Sequence, residues 1–233
     1  KFDPSVMAAF MLAATSKIGI IPTLTTSFYP PFILARQTQT MDLMSGGRLG
    51  WNVVTSSSEL AAKNFGMDGL PPHDDRYDIA DEYLEVCKAL WNSWEPGAVL
   101  ADVEAGVFAD ASKVHEVNFQ GPNYKVLGPL NVPASPQGRP VIAQAGASPR
   151  GMRFAARHAD IVLTPVNYPP AIKAFRDEIR RLAVEEGRDP DSIKVMAMAF
   201  PHVFEDKAGA AAFRESLNHV PDRVVIAWLA QIS

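Results

Sequence analysis

Five times along this chain a short apolar run is followed by a stretch of helical periodicity. The runs are Lys17–Ile21, Leu49–Val54, Pro140–Gln144, Asp160–Thr164 and Ile193–Ala199. Continuous apolar runs suit strands buried on both faces. Strands that alternate with helices form a parallel sheet with helices packed against it. Two architectures meet that description: an open doubly wound sheet and a (β/α)8 barrel. No Gly-x-Gly-x-x-Gly follows any of the runs, so the dinucleotide fingerprint is absent. Most runs end in polar residues that could converge on one face, as barrel active sites do. Both points favour the barrel, although five strands cannot close one.

The helices expected between the runs follow from spacing and end signals. The first is Ser5–Ser16, with Val6, Ala9, Phe10 and Ala13 as its buried stripe. The second runs from Pro31 to about Met44 and stops at Gly46-Gly47. A short helix and a loop fill 59–70. A strong helix covers about Asp75–Ser93 and buries Tyr77, Ala80, Leu84, Val86, Cys87 and Leu90. Later helices end near His158, span roughly 169–186 and start near Lys207. Residues 95–139 are rich in Gly, Pro and Asn and read as an inserted hairpin with loops, a kind of segment that is often functional. The whole chain, 1–233, is expected to form one domain.

Composition narrows the function class. With 22 Lys and Arg against 26 Asp and Glu, the formal charge is −4, which argues against a protein that tracks nucleic-acid phosphates. No apolar run reaches the length of a membrane span. The lone Cys87 can form no internal disulfide and leaves no Cys-rich metal site, so a reducing cytoplasm is the simplest location. The chain opens directly on a helix start and stops in an apolar stretch at Trp228–Ser233. Both ends suggest the middle of a longer protein.

Three segments could carry chemistry. In Gln144-Ala145-Gly146-Ala147-Ser148-Pro149, small residues leave a strand, Ser148 is a good N-cap and Pro149 a good first helical residue. Free N–H groups and the helix dipole there can hold an anion, or the Ser-Pro pair can be a plain cap. In His73-Asp74-Asp75-Arg76-Tyr77, His73 and Tyr77 share a helix face if the helix includes His73. Asp74 or Asp75 can cap it, and Arg76 can pair with a carboxylate. His73 and Tyr77 could hold a polar ligand, or the segment can be a capped start with a buried Tyr. No second His or Cys stands at ligand spacing, so no metal site is expected. In Trp51-Asn52, the two side chains of a buried strand point to opposite faces. Asn52 turned inward is costly unless bonded, which makes it a candidate for a heterocycle edge or a satisfied core Asn. Trp91-Asn92-Ser93-Trp94 reads as core packing. His115, His158, His202 and His219 show no partners in the sequence and read as surface or loop residues.

Taken in order, several segments resemble one family. They are Gly47-Arg48-Leu49-Gly50-Trp51-Asn52-Val53-Val54-Thr55-Ser56, Asn64-Phe65-Gly66, His73-Asp74-Asp75-Arg76-Tyr77 and Leu90-Trp91-Asn92-Ser93-Trp94. Gly128-Pro129-Leu130-Asn131-Val132, Pro136-Gln137-Gly138-Arg139-Pro140 and Gln144-Ala145-Gly146-Ala147-Ser148 complete the set. The chain is thereby similar to the large oxygenase component of two-component flavin monooxygenases. The type is nitrilotriacetate monooxygenase component A, within the bacterial-luciferase-like superfamily. Relatives of that type act on aminopolycarboxylates, dibenzothiophene sulfone, long-chain alkanes and an antibiotic precursor.

The resemblance implies a (β/α)8 TIM barrel of the luciferase-like type with an inserted segment, of which this chain holds about five βα units. It implies FMN as cofactor, reduced by a separate NAD(P)H-dependent flavin reductase, and O2 that adds to the flavin to form a peroxyflavin. One oxygen atom then passes to a small organic substrate. A homo-oligomer is implied as well. By motif match the flavin contacts fall on Thr23, His73, Tyr77 and Ser148, and Asn52 lies in the matched strand beside the same cavity. His73 is the one candidate for a contact to the reacting oxygen. The family's acidic flavin contact before the first helix has no counterpart here, and a His usual near Asn118 is replaced. The alternatives are hydride transfer with a deazaflavin and a flavin-binding fragment without turnover.

Overall fold

The computed structural model describes residues 2–166, 168–198 and 202–218. The chain divides into two compact units, 1–198 and 199–233.

In the first unit, α1 (Pro4–Ala14), β1 (Thr23–Thr25), α2 (Pro31–Met44), β2 (Gly50–Val54) and α3 (Glu59–Asn64) precede the long α4 (His73–Trp91). Two antiparallel pairs follow: β3 (Val99–Asp102) with β4 (Val107–Ala109), and β5 (Phe119–Gln120) with β6 (Lys125–Val126). The pattern then resumes with β7 (Val141–Gln144), α5 (Pro149–His158), β8 (Ile161–Thr164), α6 (Pro169–Glu185) and β9 (Lys194–Ala197). Strands β1, β2, β7, β8 and β9 form one parallel sheet in that spatial order. The order follows the sequence with no reversal, so there is no switch point of the kind a doubly wound sheet needs.

The register places Thr23 beside Asn52 and Asn52 beside Ala143. On the opposite face, Trp51, Val53, Ile142 and Val162 are fully buried against Leu34, Tyr83, Leu84, Trp91, Phe154 and Ile179. Trp51 stacks edge-on to Trp91 with centroids 6.3 Å apart, and its indole N–H donates to the Leu24 carbonyl at 2.9 Å. The Trp91 N–H donates to the Ala35 carbonyl at 3.1 Å, so both buried indoles are satisfied. The helical core therefore sits on one face of the sheet, and Asn52 lies on the other.

Two carboxylates, the buried Asp42 and the half-buried Asp160, tie the start of the sheet together. Asp42 accepts the Leu49 N–H at 3.0 Å, the Gln137 amide at 2.6 Å and the Ser135 hydroxyl. Asp160 takes a bidentate pair from Arg139 at 2.8 and 2.9 Å and the Ile142 N–H at 2.8 Å. Arg139 and Gln137, both in the family-like motif 136–140, thus hold strands in place.

Several boundaries differ from the sequence reading. Lys17–Ile21 forms only a bridge at Ile20 to Leu49, and the strand itself is Thr23–Thr25. Pro22, which has no N–H, interrupts the ladder, although its carbonyl still accepts the Asn52 N–H at 2.9 Å. Thr23 accordingly opens a strand instead of following one. On α1 the buried residues are Ala8 and Leu12, while Val6 and Phe10 are 67% and 72% exposed. This helix is apolar almost all round, so periodicity cannot select its inner face. Arg48 selects it, with donors to the carbonyls of Leu12 and Thr15 at 2.8 and 2.9 Å. The strong helix begins at His73, two residues early, with Pro72 at the cap position and no side-chain cap from Asp74 or Asp75.

In the second unit, α7 spans Lys207–Leu217 and is capped by Asp206, which accepts the Gly209 N–H at 2.7 Å. His202 lies 4.5 Å from the Phe213 ring, centroid to centroid. His219 and the segment from Trp228 lie outside the described residues. Among the described residues, no helix is long and apolar enough to cross a membrane.

Candidate active site

The loops that follow β2 and β7 leave the sheet at its C-terminal edge, next to the first turn of α4. Between them lies a cavity of about 450 Å³ lined by Thr55, Ser56, His73, Arg76, Tyr77 and Gly146, among others. No carboxylate is among its lining residues. Its position outside the carboxyl ends of parallel strands is where α/β proteins hold ligands.

The residues in and beside the cavity are placed by local causes. Ser148 caps α5: its hydroxyl accepts the Gly151 N–H at 3.0 Å, and Pro149 occupies the first helical position. The Arg150 N–H has no intrahelical carbonyl available at that end of the helix. His73, in the first turn of α4, brings its Nε2 to 3.4 Å from the Ser148 hydroxyl. Its Nδ1 faces the Asp74 carboxylate at 2.6 Å. One turn along α4, the Tyr77 ring packs edge-on to His73, with centroids 5.1 Å apart. The N-terminal, electropositive ends of two helices therefore meet at the cavity.

The Tyr77 hydroxyl receives the Gln144 amide at 3.4 Å, and burial pushes its pKa up. Gln144 also accepts the Gly146 N–H at 2.7 Å, which turns the loop. A Cβ on Gly146 or Gly151 would stand 2.8 Å from the Tyr77 hydroxyl. The two glycines therefore make room for Tyr77. On the sheet, the Asn52 amide donates to the Thr23 hydroxyl at 3.0 Å. Asn52 Oδ1 is buried and has no partner, so this acceptor is open to a ligand donor.

All five residues singled out in the sequence are thus placed. His73, Tyr77 and Ser148 form one contiguous group, and Thr23 and Asn52 form a second pair. Sequence reasoning missed Gln144 as the partner of Tyr77, although a polar residue closing an apolar strand is a signal. It also allowed Arg76 a carboxylate partner. Arg76 instead donates to the Pro71 carbonyl at 2.5 Å. His158 is not a surface residue: it is 3% exposed, with Asp81 at 2.7 Å and the Lys88 ammonium at 2.9 Å. His115 also has a partner, Glu95, at 2.6 Å. Burial pushes the Lys88 pKa down to about 8 and lowers that of His158. This network joins α4 to α5. Among the described residues, no group of three or more His, Cys, Asp or Glu is placed to hold a metal ion.

Comparison with known proteins adds relatives to this geometry. The family model described as luciferase-like monooxygenase matches residues 1–224. The chain is 45% identical over 216 residues to a dibenzothiophene-sulfone monooxygenase of Rhodococcus erythropolis, covering 93% of this chain and 48% of that protein. It is 39% identical over 218 residues to nitrilotriacetate monooxygenase component A of Aminobacter aminovorans, covering 94% and 48%. Among solved structures, it matches a riboflavin lyase crystallised with modified FMN and riboflavin. That match has a TM-score of 0.80 and 41% identity, covering 84% of this chain and 44% of that one. The chain spans about half the length of the relatives it matches.

Proposed function

Because the chain belongs to the luciferase-like monooxygenase family, we propose that it forms the flavin-binding part of an FMN-dependent monooxygenase. The enzyme oxygenates a small organic substrate with O2 and takes reduced FMN from a separate reductase. The architecture in this reading is the family's (β/α)8 barrel, of which the present sheet supplies five strands. The observation that carries the reading is the convergence of His73, Tyr77 and Ser148 at the meeting point of two helix N-termini. The riboflavin lyase of the same fold was crystallised with a modified FMN, and the other two relatives above are named monooxygenases.

The residues fit such a group. Ser148 and the N-terminal turn of α5 suit the phosphate, where charge is concentrated. The open Asn52 acceptor suits a ring or ribityl donor, with Thr23 holding the Asn52 amide in place. Tyr77 and His73 close the side of the cavity between them and would hold the ribityl chain. Reduced FMN, when bound, supplies the oxygen-activating chemistry. The chain's own task is to orient the cofactor and to keep water from it. The inserted segment 95–139 shapes the substrate mouth in this reading, and the assembly is a homo-oligomer.

The test is oxygen uptake with reductase-supplied FMN and a panel of sulfones, aminopolycarboxylates and alkanes. Oxygenated product in step with O2 consumed supports the reading. Release of hydrogen peroxide alone with every compound would reduce the chain to a flavin binder. Hydride transfer from a reduced deazaflavin without O2 would replace it.

A further inference from the structure

The amine of Lys88 has no part in the proposed function. It stands about two turns beyond Asp81 on the same face of α4, partly buried. Its Nζ lies 2.9 Å from His158 Nδ1, and His158 Nε2 lies 2.7 Å from the Asp81 carboxylate. The carboxylate accepts the Nε2–H, so Nδ1 turns its lone pair to the amine. Packing holds the ring in place: it is 3% exposed and lies against Phe154, with centroids 4.9 Å apart. A base oriented by a third group and set against an amine is the arrangement that activates a nucleophile. The depressed Lys88 pKa, about 8, adds a supply of neutral amine near physiological pH.

The charges around the amine specify what it can become. Arg139, Arg188 and Arg157 disfavour its positive charge, and Asp160 favours it. Asp160 is already taken by the bidentate Arg139. Asp81 is shared among His158, Arg150 and Arg157. Arg188 donates to the Ala156 and Ala159 carbonyls at 2.9 Å, and no carboxylate among the described residues bonds to it. The cluster thus carries surplus positive charge partly out of water, which is costly. An acyl or imine product at Lys88 adds no anion. A product that turns the cation into an anion removes the surplus and gives Arg188 a charged partner.

We propose that Lys88 is a carbamate site, where carbon dioxide adds reversibly to the side-chain amine. The Nζ lone pair forms an N–C bond to the carbon of CO2, and a C–O π bond of CO2 opens onto oxygen. An amine proton passes to His158 Nδ1 and on to solvent. Nothing is oxidised or reduced. The new anion pairs with Arg188 and ties α4 to the starts of β7 and β8, which Arg139 and Asp160 flank. The cavity lies at the other ends of these strands, so the carbamate does not depend on the flavin reading.

The test equilibrates the full chain with isotopically labelled bicarbonate at about pH 8. A trialkyloxonium salt then traps carbamates as esters, and peptide mass spectrometry maps the label. Labelled carbamate is expected on Lys88, about tenfold or more above the exposed Lys63, Lys125 and Lys173. Arg188→Met is expected to lower the Lys88 label about tenfold, with the fold kept by circular dichroism. Label on Lys88 no greater than on the three exposed lysines overturns the proposal. Label that a folded Arg188→Met chain leaves unchanged overturns it too. Where Arg188→Met does not fold, the comparison among lysines within wild type decides.

Discussion

His73 Nε2 lies 3.4 Å from the Ser148 hydroxyl, although 75 positions separate the two residues. The contact sets the first turn of α4 against the first turn of α5. It joins a helix that follows β2 to one that follows β7, and these two strands are neighbours in the sheet. The site is therefore a product of the parallel topology: adjacent strands deliver their exits to the same place.

Ser148 has two separable duties. As N-cap of α5 it contributes about 1 kcal/mol of stability. In the proposed anion cradle it would raise affinity for reduced FMN. Ser148→Asp keeps the cap but places a negative charge at the cradle. The variant should unfold within about 0.5 kcal/mol of wild type in urea and bind reduced FMN more weakly than Ser148→Ala does. Equal flavin affinity in the two variants would remove Ser148 from the cradle.

Gly151 lies within α5, where alanine would ordinarily be preferred by about 1 kcal/mol. Here a Cβ would stand 2.8 Å from the Tyr77 hydroxyl. Gly151→Ala should therefore destabilise by about 1–3 kcal/mol. Adding Tyr77→Phe, which removes the crowding hydroxyl, should recover part of that loss. Additive losses in the double variant, measured by denaturant unfolding, would contradict the close approach.

Glu82, buried on α4, accepts the N–H groups of Asn123 and Tyr124 at 3.0 and 2.8 Å, and the Asn123 amide. It anchors the β5–β6 hairpin to the helix. Glu82→Gln should lower amide-exchange protection across 119–126 and leave β2 and β7 unchanged. A uniform loss across the sheet would mean that the carboxylate supports the whole unit.

The Lys88–His158–Asp81 network gives a pH dependence whose sign is fixed. Unfolded, Lys88 keeps its proton to about pH 10.5, whereas folded it keeps it only to about 8. Between those values the unfolded chain binds more protons, so stability from this group rises with pH. At pH 7 the buried ammonium is a cost. Lys88→Met should stabilise by about 1–3 kcal/mol at pH 7 and flatten the rise between pH 8 and 10.5. His158 acts in the same direction at lower pH: its folded pKa is depressed, so its share of stability is lost as pH falls through 6.5. A variant no more stable at pH 7, with an unchanged slope, would show that the network offsets the burial.

These elements also show what was legible beforehand. The helix at 31–44, the cap at Ser148 and the face of α4 follow from local signals: proline at a first turn, a hydroxyl before it and apolar spacing of three and four. The inner face of α1 did not, because an all-apolar helix carries no stripe and Arg48, more than 30 positions away, decides it. The same holds for His158 and Arg76. Their partners or lack of partners depend on how α4 meets α5 and the 71–72 loop, which no local pattern encodes. His73, Tyr77 and Ser148 were nameable one by one. Their meeting became visible only once two strand exits lay side by side.

In the proposed function His73, Tyr77 and Ser148 form the grip on reduced FMN. Anaerobic titration of reduced FMN into wild type and into the Ser148→Ala/Tyr77→Phe double variant tests it most directly. Tight binding to wild type and at least a tenfold loss in the double variant are expected, with the fold kept by circular dichroism. Equal affinity in the two proteins would contradict it.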